Sequence, residues 1–189
     1  MLNERKVAQM AVYLLRRRGG RMSHLKLMKL LYLVERESLR RYATPMCGDR
    51  LVSMPHGPAL SGTLNLMDGD VIPEPAGWDD WISGKAHNEL ALREGAEDID
   101  LDELSPADLE ILEEIWGRFG HLSRWELRDY THNHCREWTD PDGSSLPIRY
   151  EEVLGQVGYD SDDAAEIQQR IAGEEGAERV FRELRRSVS

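Results

Sequence analysis

SHLKLMKLLYLVERESLRRY, residues 23–42, is the stretch whose reading decides the fold. On a helical wheel advancing about 100° per residue, Leu25, Leu27, Met28, Leu30, Leu31, Tyr32, Val34 and Leu39 cover more than half the circumference. Lys26, Lys29, Arg36, Glu37 and Arg40 fill a narrow, mainly basic stripe, with Leu33 set in its middle. An ordinary surface helix shows a narrower apolar face, so this one is expected to be covered on several sides. Ser23 supplies an N-cap oxygen for its start. Thr44, held out of the helical region by Pro45, marks its end near Tyr42. Glu35 breaks the pattern by falling inside the apolar arc. Either the helix ends early or a carboxylate enters the core, where it must be paired or protonated.

Working outward, Val7, Ala8, Met10, Ala11, Leu14 and Leu15 recur at helical spacing, and Gly19-Gly20 stop that helix. Arg16, Arg17 and Arg18 suit the negative end of its dipole. Residues 49–54 alternate as one short strand, and Pro58 is expected to open a helix over 59–67. Residues 89–93 read as a helical turn or as a strand, which would pair with 50–54. Ser105-Pro106-Ala107-Asp108 and Ser123-Arg124-Trp125-Glu126 are helix starts with capping-box spacing. The first carries Leu109, Leu112, Ile115, Trp116 and Phe119 and ends at Gly120. The second carries Trp125, Leu127 and Tyr130 and runs on to Trp138. Pro147 is expected to open a further helix with Ile148, Val153 and Leu154. From 161 onward the chain is polar and charged, with one apolar row through Ile167, Ile171, Val180, Phe181 and Leu184. The expected fold is mainly α: a single helical domain (1–158) around the central buried helix 23–42, with a small antiparallel β element. An acidic helical tail (159–189) follows it and docks on the body or on a partner.

The 189 residues suffice for a full core, and the net charge of −11 disfavours nucleic acid as a partner of the whole chain. That charge is divided unevenly. Residues 1–50 hold 12 Lys/Arg against 4 Asp/Glu, and 51–189 hold 12 against 31. A basic third on an acidic body implies internal pairing or a basic patch kept for a partner. Two cysteines, Cys47 and Cys135, are too few for a disulfide framework and suit a reducing cytosol. The start shows no signal-peptide pattern, and no apolar run approaches the about 20 residues of a membrane span. A cytoplasmic protein without membrane contact is expected.

Taken in order, these pieces resemble the Panacea domain family, the SocA-like antitoxins. The resemblance rests on Lys26-Leu27-Met28-Lys29-Leu30-Leu31-Tyr32 after an N-terminal helix, and on His56-Gly57-Pro58 after a short strand. It rests also on the LSPAD start at 104–108, and on Ser123, Leu127, Thr131-His132 and Trp138 in a "S…L…TH…W" order. It spans about 7–154. Ala59 stands where the family usually has valine, the spacing from His132 to Trp138 is one residue longer than expected, and the acidic tail has no counterpart. The resemblance implies a mostly helical domain with a small β element that binds and neutralises a cognate toxin encoded beside it. In one branch the antitoxin is an adaptor that hands its toxin to an ATP-dependent protease. Such proteins act by contact, so no catalytic residues are carried over and no cofactor is expected.

His132, His134 and Cys135 are of metal-ligand type, with His121 and Cys47 as further donors, but no paired spacing accompanies them. A capping or core histidine is the plainer reading, with Thr131 and His132 closing a helix on loose carbonyls. Cys135 as a nucleophile would need a base from another segment, because neighbours on a helix point apart. Ser53 and Ser61 lack a nucleophile elbow, and Gly57-Pro58 lacks the lysine and glycine spacing of a phosphate loop. Gly57-Pro58 is either a tight turn or a helix start receiving a partner's carboxylate. The stripe of Lys26, Lys29, Arg36 and Arg40 is a solvated face, a face paired with the acidic body, or a docking surface with Leu33 as anchor and His56 beside it. DNA binding by an autoregulator ranks behind these, since no recognition helix is evident. Tyr32, Glu35, Gly57, Pro58, Ser123, Thr131, His132 and Trp138 are assigned structural roles. Glu35 is expected to meet a donor from residues 121–138, His132 or Arg128 being the natural partners.

Overall fold

The helix expected over 23–42 forms and packs against several other elements. In the computed structural model, which describes residues 1–84 and 87–188, the chain begins α1 (Glu4–Arg18), β1 (Arg21–Ser23) and α2 (His24–Tyr42). It continues through β2 (Leu51–Met54), β3 (Gly57–Leu60), α3 (Ser61–Asp68), α4 (Trp78–Trp81) and β4 (Glu89–Ala91). The remainder is α5 (Pro106–Phe119), α6 (Arg124–His134), β5 (Leu146–Ile148), α7 (Tyr150–Val157) and α8 (Ser161–Val188). The architecture is mainly α, with two small antiparallel sheets ordered β1-β4 and β3-β2-β5.

Local chemistry sets the helix ends. Ser23 accepts from the Lys26 N–H at the start of α2, and Ala43 closes it in the left-handed region. Ser105 with Asp108, and Ser123 with Glu126, form complete capping boxes on α5 and α6. Gly19 takes φ +87° after α1, and the Gly19 and Gly20 N–H groups reach back to Arg16 and Leu15.

Thirteen of the nineteen residues of α2 are buried, which one neighbour could not achieve. It packs against α1, α5, α6 and α7, and against β1, β3 and α3. Leu27, Leu30, Leu31, Tyr32, Val34 and Leu39 are fully enclosed, together with Val7, Met10, Leu14, Ile111, Leu112, Leu127, Val153 and Leu154.

Three expectations are corrected. Pro58 does not open a helix: it lies in β3 opposite Ser53, and α3 starts only at Ser61. The carboxylate of Asp49 makes that start possible, accepting from the Gly62 and Thr63 N–H groups at 2.8 and 2.7 Å. Residues 89–91 do form a strand, but it pairs with β1, not with 50–54. Pro147 lies in β5, paired with Val52, and α7 begins at Tyr150. A proline is tolerated there because β5 is an edge strand.

The uneven charge is largely resolved internally. Lys6 meets Asp108 at 2.8 Å, Arg17 meets Glu113 at 2.8 Å, and Arg41 pairs with both Glu37 and Glu114. The tail helix α8 packs along α7, burying Ala164 and Ile171, and Glu175 reaches the amino group of Met1 at 2.6 Å. Farther along α8, Val180, Phe181 and Leu184 are exposed. No described helix is long and apolar enough to cross a membrane.

Candidate functional site

Three of the four segments that carry the family resemblance meet in one place, where α2, β3, α6 and the turn after α6 come together. The start at 104–108 lies elsewhere, with Asp108 against Lys6. Lys29, one turn before Tyr32, is only 1 % exposed, and its Nζ donates to the Pro58 carbonyl at 2.6 Å. Gly57 opens β3 at φ +94°, and a β-carbon there would stand 2.9 Å from the His132 ring and 3.0 Å from the Lys29 Nζ. Glycine is therefore needed twice, for the backbone angle and for the close approach. His132 stacks on Trp138 with centroids 4.1 Å apart and planes 11° apart, and Trp138 Nε1 donates to the Met54 carbonyl at 2.9 Å. Thr131, fully enclosed, donates its hydroxyl to the Arg128 carbonyl one turn back.

This cluster holds charge in a dry setting. Burial pulls the Lys29 ammonium from its usual 10.5 down to about 7. Burial, then the charges of Lys29 and Arg128, hold the His132 imidazole below its ordinary value. Its Nε2 is enclosed near the His56-Gly57 backbone, with no well-formed hydrogen bond among the described residues. Burial also pushes the Cys135 thiol up to about 12, so it is a thiol and not a nucleophilic thiolate at neutral pH. His134 turns away from both, stacking on Tyr130 and bonding its carbonyl at 2.9 Å. Among the described residues no three His, Cys, Asp or Glu side chains are placed to hold a metal ion.

A second junction ties α2 to the same turn. The Glu137 carboxylate, with its side chain fully enclosed, accepts from the Tyr32 hydroxyl and from Arg36 Nε, both at 2.8 Å. Sequence reasoning missed Glu137, which sits in a polar run without periodicity. It also placed Glu35 differently. Glu35 is fully buried as expected, but its Oε2 accepts from the Met46 and Cys47 N–H groups at 3.1 Å, not from residues 121–138. The chain doubles back immediately after α2, so its own loop reaches Glu35 before α6 can. Burial raises the Glu35 carboxyl from 4.5 to about 7, against the pull of the Cys47 and Met46 N–H groups.

The basic stripe is not an outward face. Lys26 and Leu33 are buried like Lys29, and Lys26 Nζ donates to the Gly120 and Leu122 carbonyls at 2.6 Å each. Arg36 is spent on Glu137, and Arg40, the exposed member, pairs with Glu37 at 2.5 Å. The stripe lies inward because α5 and α6 close over it. Of the residues assigned to a docking surface, His56 is exposed in the turn before Gly57.

Trp125, which the sequence places in the helix opened by Ser123 with Leu127 and Tyr130, is exposed to 46 %. The guanidinium groups of Arg124 and Arg128 lie 4.9 and 5.1 Å from its ring. On one side of Arg124 a hollow of about 500 Å³ is walled by Arg18, Arg21 and Lys26 together with Glu89 and Glu126. On the other side a hollow of about 330 Å³ lies between Trp125, His56 and Leu25.

These motif residues, in this order and fold, define a helical domain of the antitoxin type. A family model described as antitoxin SocA-like, Panacea domain, matches residues 27–139, and the chain belongs to that family. No curated protein and no solved structure gives a significant match. The family supports an antitoxin role in general terms, with a toxin as partner.

Proposed function

We propose that this chain neutralises a cognate toxin, the product of an adjacent reading frame, by direct protein contact in the cytoplasm and without catalysis. The observation that carries the reading is the family match over 27–139, which includes every motif of the central cluster. The arrangement of that cluster is consistent with it. Lys29 is bound to the Pro58 carbonyl, Thr131 to that of Arg128, Trp138 to that of Met54 and Glu137 to the Tyr32 hydroxyl, as residues that hold a scaffold are. Delivery of the bound toxin to an ATP-dependent protease is the finer form of the proposal. The exposed Val180, Phe181 and Leu184 near the end of α8 supply an unburied apolar segment of the kind a second partner engages. DNA binding is less well supported, because the basic N-terminal third is largely paired with the chain's own acids.

Co-expression with each neighbouring reading frame tests the proposal. One neighbour is expected to arrest growth alone and to be tolerated, and co-purified, when this chain is present. If no neighbour is toxic, the reading falls. Following toxin abundance after synthesis is blocked separates the two forms: loss of toxin only with this chain present supports delivery, and a stable complex supports simple sequestration.

A further inference from the structure

We propose that the face formed by the two hollows on either side of Arg124 binds an acidic segment of the toxin that carries a large apolar side chain. The hollows adjoin, since Ser23 and Arg124 line both. In the larger one, Lys26 provides a buried, positively charged floor, fixed by its bonds to Gly120 and Leu122. Arg18 and Arg124 have no ion-pair partner among the described residues, and Arg21 has only Glu89 at 3.9 Å. The other acid in that hollow, Glu126, is engaged at 2.8 Å by the Ser123 N–H of the capping box. Glu126 still faces Lys26, but Arg18, Arg21, Lys26 and Arg124 outnumber the two carboxylates, so positive charge is in excess here on a chain of net charge −11. A carboxylate from outside completes these arginines bidentately.

The smaller hollow supplies the apolar half of the site. Trp125 lines it with its ring flanked by Arg124 and Arg128, together with Leu25 and His56. Tryptophan and arginine together are the side chains most enriched where interfaces concentrate their energy. Neither is needed for the fold at these positions: Trp125 packs outside the core, and Arg18 and Arg124 anchor no buried acid. The deduced ligand is therefore a peptide stretch with carboxylates toward Arg18 and Arg21 and an apolar residue beside Trp125.

That the peptide belongs to a toxin rests on the proposed function, and the test keeps the two apart. The first probe needs no toxin: a labelled acidic pentapeptide with a central phenylalanine, and its lysine counterpart, titrated against the full chain. The acidic peptide is expected to bind, the basic one not, and Trp125→Ala or the pair Arg18→Glu, Arg124→Glu to weaken binding at least about tenfold. Equal binding of both peptides, none of either, or no change in the variants overturns the proposal. Circular dichroism should show the variants folded as the parent is. The second probe is the toxic neighbour. Rescue lost in the Trp125 and arginine variants, and retained in Phe181→Ala, supports the assignment to the toxin. Equal rescue by all of them overturns that assignment while the antitoxin reading stands. Absence of any toxic neighbour overturns the antitoxin reading and with it the peptide's assignment to a toxin, and leaves the pentapeptide result to decide the face alone.

Discussion

At the scale of single residues, two ionisable groups, Lys29 and Glu35, are enclosed within α2 and both titrate near neutrality. Lys29 loses its proton more readily in the folded chain, at about 7 against 10.5. Between those values the unfolded state binds more protons, so this group makes stability rise with pH from about 7 upward. Glu35 is the reverse. Folded, it holds its proton to about 7 against 4.5, so between those values stability falls as pH rises. The two contributions meet in a minimum near neutrality. Lys29→Met is expected to flatten the rising limb above pH 7, and Glu35→Gln the falling limb below it. Urea midpoints at pH 5, 7 and 9 check this; profiles parallel to the parent's would refute it. Gly57→Ala tests the packing of the same cluster. It forces a side chain into the left-handed region and against His132 and Lys29, so a loss of about 2–4 kcal/mol is expected in urea unfolding.

At the scale of elements, what was legible in the sequence divides by the range of the interaction that makes each element. Helices α2, α5 and α6 were readable because Ser23, Ser105 and Ser123 cap within three residues of their starts. The start of α3 was not, since its cap is Asp49, at the other end of the β2–β3 hairpin. Proline was misread for the same reason: Pro58 and Pro147 look like helix openers locally, yet sit in strands because Ser53 and Val52 of β2 pair with them. The candidate site followed the same division. Ser123, Thr131 and Trp138 were recognisable from their motif, whereas Lys26 and Lys29 were misplaced outward because carbonyls far along the chain receive them. Asp49→Ala should expose how much the distant cap matters. It strands the Gly62 and Thr63 N–H groups and the Thr63 hydroxyl, with an expected cost of about 2–4 kcal/mol. Early hydrogen exchange confined to 61–68 would place the damage in α3. Exchange spread evenly over all helices would argue against a local capping role.

At the scale of the whole molecule, the basic first third and the acidic remainder act as two halves of one electrostatic assembly. Arg36 to Glu137, Arg41 to Glu114 and Lys6 to Asp108 bridge them, and the tail joins the same scheme through Met1 to Glu175. The tail, however, has two parts with different consequences. Up to Glu175 it covers α7 and the loop after α2, and Ala164 and Ile171 are buried there. Beyond Gly176, Val180 and Phe181 are more than half exposed and bury little apolar surface. Ending the chain after Gly176 is therefore expected to leave the thermal midpoint nearly unchanged. Ending it after Gly158 uncovers apolar surface on α7 and removes Ile171, which should cost about 3–5 kcal/mol. Differential scanning calorimetry of the two truncations checks the division, and co-expression gives it a functional reading. If the chain ended after Gly176 still rescues growth but no longer lowers toxin abundance, the exposed end serves delivery and the face around Trp125 serves capture. If rescue itself is lost while the midpoint holds, the toxin is gripped by the tail, and the docking face assigned to Trp125 and Arg124 is wrong.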